Sequence, residues 1–119
     1  MSAKFELAKS ANGQYHFHLK AANGEVILTS EMYNAKGSAE AGIESVKTNA
    51  PEDTRYERRA SRSGEPFFVL HAANRAVIGT SQMYSSVAAM EKGIESVKHS
   101  APKAEISDLT EKAKSQHRT

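Results

Sequence analysis

FELAKSANGQYHFHLKAANGEVILTSEMYNAKGSAEAGIESVKTNAP, residues 5–51, returns 51 residues later as YERRASRSGEPFFVLHAANRAVIGTSQMYSSVAAMEKGIESVKHSAP, residues 56–102. The two stretches align without a gap and about half of their positions are identical, which marks an internal duplication. Each copy therefore has to encode the same unit. In the first, Phe5 and Leu7 alternate with polar neighbours, as do Tyr15, Phe17 and Leu19 with His16, His18 and Lys20. That period of two belongs to strands with one wet face. Asn23-Gly24, ahead of Val26-Ile27-Leu28, predicts a two-residue type I′ hairpin turn, and Asn12-Gly13 places turn chemistry between the first two strands.

Beyond Tyr33 the period changes. Ala39, Ile43, Val46 and Ala50 recur every three or four residues until Pro51 stops the helix, with Asn34 as candidate N-cap. The second copy repeats this with Ser85 or Ser86 as cap, Ile94 and Val97 on the stripe, and Pro102 as stop. Gly42 and Gly93 fall inside these helices, where glycine costs about 1 kcal/mol against alanine, so a close helix-to-sheet or helix-to-helix approach is expected there.

The expected fold is α+β: two tandem β-β-β-α repeats related by a pseudo-twofold, an antiparallel sheet and one amphipathic helix per repeat. The repeats are 1–51 and 56–102, joined by 52–55 into one compact domain. One six-stranded sheet and two smaller sheets both satisfy the periodicity. Residues 103–119, with Ile106 and Leu109 as their larger apolar residues, read as a disordered tail with at most one helical turn.

The ordered combination of the Ala-Ala-Asn turn (21–23, 72–74), the Thr-Ser-x-Met-Tyr segment (29–33, 80–84) and Gly-Ile-Glu-Ser-Val-Lys (42–47, 93–98) resembles the YegP-like family of small bacterial proteins over about residues 4–102. The resemblance implies the same two-repeat α+β fold and carries no mechanism or catalytic residue with it. Departures lie in the second copy, where Arg75 replaces Gly24, Pro66 replaces Tyr15 and Arg58 replaces Leu7.

Composition narrows the function classes. The 119 residues contain no cysteine, 39% apolar and 25% charged residues, with a formal net charge of +2. Disulfide frameworks, thiolate zinc sites and cysteine nucleophiles are excluded. No apolar run approaches a membrane span and no signal-peptide pattern opens the chain, so a cytoplasmic protein without membrane partners is expected. No nucleophile elbow, P-loop, His-Glu-x-x-His or dinucleotide fingerprint occurs, and Glu44-Ser45 and Glu95-Ser96 read as exposed helix residues, so no catalytic residue and no cofactor are expected. His16 and His18 share a strand face but are too few for a metal, and their second-copy counterparts are Phe67 and Val69.

Two residue groups stand out as candidate contacts. Arg55, Arg58, Arg59 and Arg62 crowd the start of the second copy and could neutralise phosphates of a nucleic acid, although strand alternation would split Arg58 from Arg59. Thr29, Ser30, Tyr33, Thr80, Ser81 and Tyr84 form a repeated candidate ligand cleft between strand and helix, where the same residue types also serve turns and caps. The resulting expectation is a non-catalytic binding or protein-interaction module, a monomer with an internal pseudo-dimer, the alternative being nucleic-acid binding through the arginines.

Overall fold

The computed structural model describes residues 3–111. These form seven strands, β1 Lys4–Lys9, β2 Tyr15–Lys20, β3 Val26–Thr29, β4 Tyr56–Ala60, β5 Pro66–His71, β6 Val77–Thr80 and β7 Glu105–Asp108, and two α-helices, α1 Lys36–Asn49 and α2 Val87–Ser100. All seven strands join one sheet in the order β4-β5-β6-β3-β2-β1-β7, so a single sheet replaces the two arrangements the periodicity allowed. Its centre is the antiparallel pair Thr29↔Thr80, two residues that occupy the same place in the two copies. The order is palindromic about that pair for six of the strands, which is the expected pseudo-twofold.

Alternation assigns the faces. Phe5, Leu7, Phe17, Leu19, Phe68 and Leu70 are fully buried and share one core with Ala39, Ile43, Val46, Ile94 and Val97 of the helices. Both helices therefore lie on one face of the sheet. The helices end where proline demands, since the N–H of Ala50 still bonds to Val46 O and that of Ala101 to Val97 O, one residue before Pro51 and Pro102. Ser86 caps α2 by accepting from the N–H of Ala89, whereas α1 starts after Ala35 with no side-chain cap, and Asn34 instead accepts from the Gln14 amide.

The helix glycines do mark a close approach to the sheet, at Phe17 and Phe68, but the tightest contact is with a tyrosine of the strand-to-helix connection. A Cβ on Gly42 would lie 2.5 Å from Tyr33 Oη and 3.1 Å from Phe17 Cε2. A Cβ on Gly93 would collide with Tyr84 Oη in the same way. Each tyrosine is clamped between its helix and a phenylalanine stacked 6.3 Å away, Phe17 under Tyr33 and Phe68 under Tyr84.

The hairpin turns differ from the type I′ expectation. At Ala21–Glu25 the Gly24 N–H bonds to Ala21 O and the Ala21 N–H to Glu25 O, and only Gly24, at φ +88°, is left-handed. Asn23 is not, so the connection is a type I turn followed by a left-handed residue; the Asn23 side chain accepts from the N–H of Glu25. The same two-bond pattern recurs at Ser10–Gln14, Ser61–Glu65 and Ala72–Ala76. Its left-handed position holds Gly13, Gly64 and, in the last case, Arg75 at φ 74°.

Residues 103–111 correct the reading of a disordered tail. A 3-10 turn over Ala101–Lys103 delivers β7 to the free edge of β1, where it pairs in parallel through Lys4↔Glu105 to Leu7↔Asp108. The strand adds the one parallel ladder to an otherwise antiparallel sheet. Lys36 Nζ reaches Asp108 Oδ2 at 2.6 Å and ties β7 to α1. The part of the tail beyond Glu111 lies outside the described residues.

Candidate functional site

The Thr-Ser-x-Met-Tyr segments are divided by the sheet rather than gathered into one cleft. Ser30 Oγ accepts from the N–H of Phe17 at 2.9 Å and donates to Glu31 O at 2.7 Å, and Ser81 does the same between Phe68 and Gln82. Each hydroxyl takes the place of a ladder carbonyl where the strand leaves the sheet. Tyr33 and Tyr84 turn under the helices, and burial raises both phenol pKa values. Tyr84 Oη is buried with no hydrogen-bond partner among the described residues. Thr29 and Thr80 lie on the opposite, uncovered face, where His18 Nδ1 approaches Thr29 Oγ1 at 3.3 Å.

The arginines are likewise separated. Arg58 projects to the helix side and holds Glu91 of α2 through Nε at 2.6 Å and a second nitrogen at 3.1 Å, with Asp53 at 3.3 Å. Asp53 also accepts from Lys98 at 2.9 Å, so these pairs fasten the inter-copy segment to α2. Arg59 projects to the uncovered face, bonded twice to Glu57 at 2.9 and 3.2 Å. Arg55 Nε donates to Asn49 Oδ1 at 2.9 Å, and Arg62 is exposed in the Ser61–Glu65 turn. Two of the four guanidinium groups are thus matched by carboxylates before any phosphate arrives.

His16 and His18 stand edge to face with centroids 5.1 Å apart, and burial, then the His16 charge, lowers the His18 pKa. No third ligand joins them: among the described residues no group of three or more His, Cys, Asp or Glu could hold a metal. Nor is any helix there long and apolar enough to cross a membrane.

Two arrangements were not assembled by sequence reasoning. One is the middle of the uncovered face. There Phe67, Val69, Thr29, Thr80, His16 and His18 form a zone without carboxylate, lysine or arginine, with Glu57 and Arg59 on one flank and Glu6 and Lys20 on the other. Val69 is only 3% exposed although it belongs to no part of the helix-side core. The other is a cleft of about 560 Å³ lined by Thr54, Arg55, Tyr56, Glu57, His71 and Arg75, together with Ala72 and Ala73. Glu57 there receives Arg59 and His71 Nε2, the latter at 2.8 Å, and these bonds hold its carboxyl down at about 2. His71 Nδ1 meets Arg75 O at 3.0 Å, so both ring nitrogens face acceptors. In the first copy the matching Glu6 is paired with Lys20 at 3.1 Å and Lys4 at 3.5 Å. The sequence signal for the cleft was Arg75 in a turn position that elsewhere holds glycine.

Comparison with known proteins follows the duplication. The family "Domain of unknown function (DUF1508)" matches twice, at residues 10–57 and 61–108, again 51 residues apart because 61 − 10 = 51. Its frame runs from β2 to the first two residues of β4 and from β5 through β7, so it includes the edge strand beyond Pro102. A UPF0339 protein of Acinetobacter baylyi is 54% identical over 110 residues, covering 92% of this chain and 99% of its own. The UPF0339 protein YegP of Escherichia coli K12 is 48% identical over 110 residues, with 92% and 100% covered. The solution NMR structure of a UPF0339 protein from Shewanella oneidensis superposes with a TM-score of 0.87 at 54% identity, over 92% of this chain and 93% of that one. That of E. coli YegP, described as a protein of unknown function, also gives 0.87, at 48% identity over 92% and 95%.

Proposed function

Since the chain belongs to the DUF1508 family, a domain of unknown function, we propose its role from geometry alone: a non-catalytic module, acting as a monomer, that binds a protein partner through the uncovered face of its sheet. The observation that carries this reading is the zoning of that face. On the solvated face of an antiparallel sheet polar and charged residues prevail over apolar ones. Here the centre around Thr29, Thr80, Phe67 and Val69 is neutral or apolar, and the charged pairs stand at its flanks. An interface has the same anatomy, a desolvated middle within a polar rim. The internal pseudo-twofold already satisfies the central strand edges, which supports a single chain as the working unit.

The test is partner capture by the full chain beside two multiple variants, T29K/T80K on the face and, on the arginine segment, R55Q/R58Q/R62Q, which spares Arg59 because it belongs to the flank of the face. Saturable binding of one discrete protein, lost in the first variant and kept in the second, supports the reading. A robust turnover found in an unbiased substrate screen overturns it. Nucleic-acid binding is the competing reading, favoured by Arg55 and Arg62, which form no ion pair with a carboxylate among the described residues. It requires affinity that falls steeply with salt and disappears in the arginine variant.

A further inference from the structure

We propose that the cleft between the start of β4 and the β5–β6 turn is a binding site for a small oxyanion, a phosphate or carboxylate group held between the guanidinium groups of Arg55 and Arg75. This site adjoins the uncovered face, with Glu57 common to both, and stands or falls independently of it because oxyanion binding rather than partner capture is what its test reads. The cleft's volume of about 560 Å³ lies in the usual range for small-molecule sites.

Charge selects the ligand class. Arg55 donates only to neutral oxygens, Asn49 Oδ1 at 2.9 Å and Thr54 Oγ1 at 3.5 Å. Arg75 has no side-chain partner among the described residues. The one carboxylate in the lining, Glu57, is already bonded to Arg59 on one side and His71 on the other, so its charge is answered within the protein. Two arginines without a carboxylate partner among the described residues line one concavity, and guanidinium groups bind oxyanions through paired N–H donors.

Backbone strain points to the same residue. Four turns share one hydrogen-bond pattern, and three fill the left-handed position with Gly13, Gly24 and Gly64 at φ 85° to 88°. Only Arg75 carries a side chain there, at φ 74°. The left-handed conformation costs an ordinary residue roughly 1 kcal/mol or more, so the turn itself is better served by glycine. Strain of this kind is borne where a side chain is needed for something else. His71 acts as a positioning residue, since its Nδ1 contact with Arg75 O fixes the turn against the sheet. The first copy lacks the site: Lys4 stands where Arg55 is and is paired with Glu6, and Gly24 stands where Arg75 is.

The decisive experiment is an amide NMR titration of the full chain with inorganic phosphate and, separately, acetate, each at constant ionic strength against a chloride control. Saturable shifts at Glu57, Ala73 and Arg75 with phosphate are expected, and acetate alone giving them would assign a carboxylate site. R75G should weaken binding roughly tenfold or more, as loss of a charged hydrogen-bond partner does, while raising the denaturation midpoint, so lost binding cannot be ascribed to lost folding. R55Q should weaken binding to a similar degree. Shifts that chloride reproduces, no saturation with either probe, or unchanged affinity in R75G would each overturn the site.

Discussion

At the scale of single residues, the helix glycines were legible and the hairpin glycines only partly so. A glycine amid an amphipathic stripe conflicts with helix propensity, and the conflict pointed correctly to close packing. The partner, Tyr33 Oη, was not legible because nothing in local sequence shows that the tyrosine turns under the helix. Gly42→Ala should gain about 1 kcal/mol of propensity and lose more to overpacking. The expected net loss is about 1 kcal/mol, read by chemical denaturation, and Tyr33→Phe, which removes the atom 2.5 Å from the new methyl, should recover part of it. Asn23-Gly24 was misread because the same pair serves a two-residue turn and a type I turn ending in a left-handed glycine; loop length decides, and the first strand-to-strand bond decides loop length. Glu57 gives a pH test. The Arg59 and His71 hydrogen bonds lower its folded pKa to about 2 from an ordinary 4.5, so its stabilising contribution is complete above about pH 4.5 and is lost as pH falls toward 2. Glu57→Gln should flatten that part of the acid limb in a stability-versus-pH series.

Among the elements, β7 is the one that sequence patterning could not show. Glu105-Ile106-Ser107-Asp108 has a single large apolar side chain, and Ile106 remains 43% exposed. The strand is held by its backbone ladder with β1 and by the Lys36–Asp108 ion pair, neither of which leaves a periodic trace. Burial pushes the Asp108 pKa up, but hydrogen bonds from Lys36 and Thr110 outweigh it and the net shift is downward. N–H groups alternate in direction along a strand, so of Ile106→Pro and Ser107→Pro the one whose N–H faces β1 removes a ladder donor and should cost about 1 kcal/mol. Hydrogen exchange should localise the effect to β1 amides on the β7 side; unchanged protection there would refute the strand's role. The second copy's β4 and β5, whose patterns are interrupted by Arg58 and Pro66, form nonetheless. Pro66 lacks only the N–H that Tyr15 gives to Tyr33 O, and keeps the carbonyl that accepts from Tyr84.

For the whole molecule, duplication announced the pseudo-twofold, but the copies are no longer interchangeable across it. Leu28 and Gly79 occupy matching positions, and a Cβ on Gly79 would lie 2.6 Å from Leu28 Cγ and Cδ2. A large residue on one side has been fitted to an absent one on the other, so two first copies could not pair as the natural halves do. Gly79→Ala should cost about 1–3 kcal/mol and Leu28→Ala about 2–5 kcal/mol; the double variant should fall short of their sum by roughly 1 kcal/mol in a double-mutant cycle. Strict additivity would disprove the complementarity. The candidate sites were harder to read than the fold because each depends on which face alternation gives a residue and on ion pairs between elements far apart in the chain. The pairing of β1 with β7 also sets a schedule for synthesis. Lys4 leaves the ribosome about a hundred residues before Asp108, and at roughly 5–20 residues per second the outer edge of β1 waits on the order of ten seconds for its neighbour. The charged ends of β1, Lys4 and Lys9, are what a nascent chain presents to its surroundings during that interval.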